Sequence, residues 1–221
     1  MGWKKYIFAF VITSIIFATA IAASNYFNNK RIAEIESIES RIAVDILSLE
    51  TQFDLLQQLS CADVFQNPVL SSELETLGER LDFAENSLGV DNPEVMKLKR
   101  SYTLLEIKDY LLMKKVTEKC PLNPTFIFYF YSNEGDCPSC VREGYVLTAL
   151  KQKYPDLRVY SFDYNLDLSA LKTLIAINKV EDKLPALIIN NKAYYGFNDV
   201  ENIEKILPEL EKNALTEKNV E

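Results

Sequence analysis

The chain has 221 residues, of which 48% are hydrophobic, 25% charged and 11% aromatic. That composition excludes a disordered or collagen-like chain, and the length allows one or two small domains, each with its own core. The net charge of −8 opposes binding to phosphate backbones, so no nucleic-acid partner is expected. The absence of histidine removes Ser-His and Cys-His nucleophile pairs and histidine-ligated metals, and four cysteines are too few for a disulfide-dense scaffold.

The N-terminus opens on Lys4-Lys5, followed by a strongly apolar run of 18 residues from Tyr6 to Ala23 and then Lys30-Arg31. The run is long enough to span a bilayer as a helix, and Trp3, Tyr6, Tyr26 and Phe27 sit at its edges, where amphipathic rings favour the interface. Residues 1–27 are read as a signal anchor. The alternative is a cleaved signal peptide, because Ala20-Ile21-Ala22 fits the small-x-small rule. Both readings carry the rest of the chain across the membrane. The expectation is a single-pass membrane protein with an extracytoplasmic C-terminal part, or a secreted protein after cleavage.

Residues 28–118 read as helical. Ile35, Ile38, Ile42, Ile46, Leu49, Phe53 and Leu56 recur in steps of three and four, one stripe sustained over about three heptads. A second helix is predicted from Ser71-Ser72, burying Leu74, Leu77, Leu81 and Leu88, with Gly89 past its end. A third starts at Asp91-Asn92-Pro93-Glu94, a cap residue before a proline, and buries Val95, Leu98, Tyr102, Leu105 and Leu112. An antiparallel helical bundle or stalk follows. A spacer, a docking surface and a homodimer through a coiled-coil stripe all stay open. If the helices alternate in direction, Cys61 and Cys120 come to one end, and outside the cytoplasm they are expected to form a structural disulfide. The alternative is two unrelated buried thiols.

Beyond Cys120 the period changes. Thr125–Tyr131 is an aromatic and β-branched run, apolar on both faces, which suits a central strand. Cys137-Pro138-Ser139-Cys140 leads into a helix through Tyr154. A strand over 157–164, a helix over 167–178, a strand over 185–190, a turn at Asn190-Asn191-Lys192, a strand over 193–197 and a helix capped by Asn198 or Asp199 follow. Residues 213–221 read as a polar tail.

The order β-α-β-α-β-β-α, with Cys137-x-x-Cys140 after the first strand, Leu184-Pro185 before the third and a hairpin after it, resembles a thioredoxin-like domain over 121–212. The resemblance implies an α/β fold in which Pro185 is cis and faces the cysteine pair across a substrate groove. It implies thiol–disulfide exchange on protein thiols or disulfides, with Cys137 as nucleophile, Cys140 as resolving thiol, and Leu184 offering its backbone to a substrate strand. The nucleophile in such exchange is a thiolate, and a helix N-terminus stabilises an anion. Ser139 is a candidate donor to the Cys137 sulfur. The first strand carries aromatic residues where thioredoxin has a buried acid. A membrane redox partner is compatible with this reading. No metal and no cofactor are expected, since a zinc site at the pair would need two further ligands and only Cys61 and Cys120 remain. The rival reading is a non-catalytic interaction or scaffold protein carrying a degenerate module of this type.

Overall fold

The computed structural model describes residues 3–56, 69–120 and 124–210. Three helices come first: α1 (Trp3–Leu56), α2 (Val69–Leu88) and α3 (Pro93–Lys119). A small mixed sheet with helices follows: β1 (Thr125–Tyr131), α4 (Cys140–Lys153), β2 (Leu157–Asp163), α5 (Ser169–Asn178), β3 (Ala186–Ile189), β4 (Lys192–Tyr195) and α6 (Val200–Ile206).

The apolar run and the first stripe are one helix. α1 is continuous over 54 residues, about 80 Å at 1.5 Å per residue, with no break at Lys30-Arg31. Its segment Lys5–Phe27 is long and apolar enough to cross a membrane and is unburied throughout, which fits a membrane anchor and a signal sequence alike. Thr13 and Thr19 donate their hydroxyls back to the carbonyls of Ala9 and Ile15, so their polarity is satisfied within the helix. Beyond this segment α1 meets α2 and α3. The side chains of Ile35, Ile38, Ile42 and Ile46, and Cys61 after the helix, lie outside the described residues, as does the tail 213–221.

α2 and α3 form the hairpin that their caps dictate. Gly89 takes φ +90° past the end of α2, and the Asn92 side chain accepts the Glu94 N–H at the start of α3, with Pro93 at the first helical position. Leu74, Leu77, Leu81, Val95, Leu98, Leu105 and Leu112 close a common core. α3 has a second buried face, which the single stripe read from the sequence does not contain. Met96, Ile107 and Tyr110 pack on the sheet with Phe128, Tyr160 and Phe162. Cys120 is buried at the end of α3 and is in disulfide form; its expected partner Cys61 is outside the described residues.

The sheet order is β2-β1-β3-β4, with β1 parallel to β2 and antiparallel to β3, and β3 antiparallel to β4. One face of β1 and β3 (Ile127, Tyr129, Leu187, Ile189) packs on Leu147 and Leu150 of α4 and Ile203 of α6. The other face (Phe128, Phe130, Ile188) packs on Leu171 of α5 and on α3. This double cover explains why β1 is apolar at nearly every position. Asn190 and Asn191, at φ 49° and 61°, make the tight turn between β3 and β4.

α3 also covers the outer edge of β2. The Glu106 carboxylate accepts the Ser161 N–H at 2.9 Å, Asp109 accepts the Tyr160 hydroxyl at 2.6 Å, and buried Lys99 pairs with Asp163 at 2.9 Å and with Glu85 of α2 at 2.7 Å. A helix carrying carboxylates therefore satisfies an edge strand that would otherwise present open backbone groups. Burial pushes Glu106 up to about 8, against the opposing pull of the Ser161 N–H and Lys151, and it also raises Asp109.

Lys99→Met is expected to leave Asp163 and Glu85 without their cation and to cost about 3–5 kcal/mol, the range for removing one partner of a buried pair. Urea unfolding of the full chain in non-ionic detergent checks this. A loss under 1 kcal/mol would show that the network contributes little.

Candidate functional site

β1 ends at Tyr131, and the chain runs through Ser132–Asp136 to Cys137 before α4 begins at Cys140. The loop is held at both sides. Ser132 Oγ accepts the Glu134 N–H at 3.1 Å and the Asn165 side-chain amide at 3.0 Å. Gly135 takes φ +83°, a conformation that favours glycine.

Cys137 and Cys140 are joined by a disulfide with Cα atoms 5.4 Å apart, and the Cys140 N–H donates to the Cys137 carbonyl at 3.2 Å. The α-helix proper starts three residues after Cys137, and Ser139 is its N-cap, but the Ser139 side chain makes no capping hydrogen bond. Cys137 is 8% exposed and Cys140 4%. Both cysteines are therefore buried.

Leu184–Pro185 is a cis peptide. Its position relative to the cysteines follows from register and contacts. Phe130 lies opposite Ala186 in the antiparallel β1–β3 pair, so Pro185 stands at the end of β1 from which the cysteine loop emerges. The Pro185 carbonyl accepts the Gly196 N–H at 2.8 Å. Two residues on, the Asn198 N–H donates to the Glu143 carboxylate of α4 at 2.8 Å, and the Arg142 guanidinium lies 4.3 Å from the centre of the Phe197 ring. A continuous set of contacts therefore runs from the proline through 196–198 to the first turn of the helix that carries Cys140.

Two residues of this set were not singled out from the sequence. Glu143, one turn after Cys140, is fully buried, and its Oε1 has no hydrogen-bond partner. Burial pushes it up to about 7, opposed by the Asn198 N–H and Arg142 and reinforced by Asp199. The signal was present: Glu143, Leu147 and Leu150 share one helical stripe, which places the acid on the buried face of α4. Tyr129 of β1 is buried and donates its hydroxyl to the Cys140 carbonyl at 2.6 Å, tying the head of α4 to the central strand. Its ring packs in the core, and nothing in a strand of aromatic residues distinguishes it.

No group of acidic or cysteine residues capable of holding a metal ion occurs among the described residues. A cavity of about 380 Å³, lined by Glu106, Asp109, Lys151, Arg158 and Tyr160 among others, lies beside β2. It sits at the far end of α4 from Cys140, so cavity size does not point to the site; the disulfide does.

No protein family and no curated protein sequence matches the chain. Among solved structures, one described as "Structure of a malarial protein" aligns with 40% of this chain and 98% of its own, at 15% identity and a TM-score of 0.33. A score of that size does not establish a shared fold.

Glu143 gives a pH prediction. Its folded-state value lies above the ordinary glutamate range, so the stability associated with its protonated form is present at low pH and is lost as pH rises through about 7. Glu106 acts in the same direction through about 8. Glu143→Gln keeps an acceptor for the Asn198 N–H and is expected to flatten the fall between pH 5 and pH 7 while leaving the part near 8 in place. Thermal unfolding of the full chain across that range checks it; an unchanged profile would remove Glu143 from the account.

Proposed function

We propose that this protein is a membrane-anchored thiol–disulfide oxidoreductase with a thioredoxin-like C-terminal domain, acting outside the cytoplasm on protein thiols and disulfides. The observation that carries the reading is the Cys137–Cys140 disulfide at the head of α4, at the same sheet end as the cis Leu184–Pro185 peptide. The sheet order and the two helices on each face are compatible with a thioredoxin-like arrangement.

The exchange balances as follows. A substrate thiolate attacks Cys137 Sγ, a mixed disulfide forms, and the Cys137–Cys140 bond breaks with Cys140 leaving as a thiolate that takes up a proton. A second substrate thiolate then attacks the substrate sulfur of the mixed disulfide and releases Cys137. Two electrons and two protons pass from the substrate dithiol to the cysteine pair, and the reverse sequence reduces a substrate disulfide. The positive end of α4 favours the thiolate on Cys137. Leu184 is half-buried beside the site, and the backbone around the proline is the edge along which a substrate strand would lie. A structural Cys61–Cys120 disulfide would fasten α3, which supports the sheet from below.

The low exposure of both cysteines favours a second reading, a structural disulfide in an interaction module. The reduction potential separates the two, since a pair below about −300 mV resists exchange. Replacing Cys137 by serine is expected to abolish exchange, and Cys140→Ser is expected to accumulate a mixed disulfide with substrate that non-reducing electrophoresis detects. Exchange that survives Cys137→Ser would refute the assignment. For the anchor, full-length chain is expected to resist alkaline extraction from membranes. Release into the soluble fraction, with a new N-terminus after Ala22, would instead identify a cleaved signal.

A further inference from the structure

We infer that the surface around the cysteine pair is shaped for an extended polypeptide segment that carries an apolar side chain and a lysine or arginine beside its reacting cysteine. This rests on the exchange reading and specifies its substrate class.

The first part of the argument is apolar. Val141 and Tyr145, one turn apart on α4 and directly after Cys140, are 67% and 73% exposed. Phe197 is also exposed, and the Arg142 contact fixes it against the first turn of the same helix. Val141 and Tyr145 give α4 an exposed apolar face directly after Cys140, with Phe197 held at the first turn of the same helix, and a partner's apolar group would cover it. A small thiol touches too little of it.

The second part is charge. Glu134 and Asp136 immediately precede Cys137 and are exposed, and neither forms an ion pair among the described residues. Asp182, exposed in the loop before the cis proline, and Asp199, exposed after Phe197, extend the acidic rim to the other side of the site. Among the cations nearby, Lys183 pairs with Glu181, Arg142 lies over the Phe197 ring and keeps its charge, and Lys179 is exposed in the same loop as Asp182, so the four carboxylates outnumber the two cations not paired with a carboxylate among the described residues. A rim of net negative charge draws a cationic partner and accelerates its encounter, and salt weakens the effect because exposed charges are screened beyond about 10 Å. The same rim repels small anionic thiols.

The test uses the full chain, with its Cys137–Cys140 disulfide intact, in non-ionic detergent and two peptides that share one apolar residue and one reduced pair of cysteines but differ in a flanking pair of lysines or glutamates. Stopped-flow exchange is expected to be about tenfold faster for the lysine peptide at low salt, with the gap closing at 1 M salt. The double variant Glu134→Lys, Asp136→Lys is expected to reverse the preference. Asp156→Lys, a reversal at the opposite end of the sheet, is expected to leave it intact. Val141→Ser with Tyr145→Ser is expected to raise KM for both peptides with little change in kcat. Equal rates for the two peptides, or a preference that survives the double variant, would overturn this inference while leaving the oxidoreductase reading in place. Failure of the wild-type chain to exchange with either peptide, with the lysine peptide at high concentration included, would overturn both.

Discussion

The site depends on how β1 is paired. It lies parallel to β2 and antiparallel to β3, so its C-terminal end is the start of the cysteine loop and also the neighbour of the residue that opens β3. That arrangement brings Cys137, Cys140 and Pro185 to one end of the sheet although 45 residues separate Cys140 from Pro185. The parallel pair requires a crossover, which α4 provides, and α4 then carries Cys140 at its head. The antiparallel pair places the cis peptide next to the same end. A change of register by one residue would turn every side chain of β1 to the other face and would move Tyr129 away from the Cys140 carbonyl.

The helical region is part of this support. α3 shares one buried face with α2 and gives the other to the sheet, so the two cores have a wall in common. Its charged residues are placed at the edge of β2, where backbone groups need partners: Glu106 on the Ser161 N–H, Asp109 on Tyr160 and Lys99 between Asp163 and Glu85. Such groups are stable in a buried position only because each is matched by an opposite charge or a hydrogen-bond donor. The helix leading from the membrane-compatible segment meets α2 and α3, so the sheet is connected to α1 through packed helices.

At the cysteine pair, buried polar contacts tie the head of α4 to the strand and loop beside it. The contact of Asn198 with Glu143 joins the loop after β4 to α4, and it also leaves one Glu143 oxygen buried without a partner. A carboxyl held in that condition is costly, and its protonation near neutrality is the physical consequence. A buried carboxyl thus stands one turn after Cys140 in α4.

The residues alone determined the local pieces. The apolar run of 6–23, the Asn92-Pro93 start of α3, the strand 125–131, the Cys-x-x-Cys at a strand–helix junction and the Asn190-Asn191 turn are each fixed by interactions within a few residues, and each is found where periodicity and capping place it. The stripe on α3 was legible on one side only, because the second face mixes Met96, Ile107 and Tyr110 with Lys99, Glu106 and Asp109, whose burial depends on partners 49 to 64 residues away. The burial of Glu143 is legible in its stripe with Leu147 and Leu150, but its Asn198 partner, like the Cys140 carbonyl that Tyr129 meets, was decided by tertiary structure. Hydrophobic period and turn chemistry are local and readable; the pairing of buried polar groups is long-range, and sequence carries no record of which distant group will arrive.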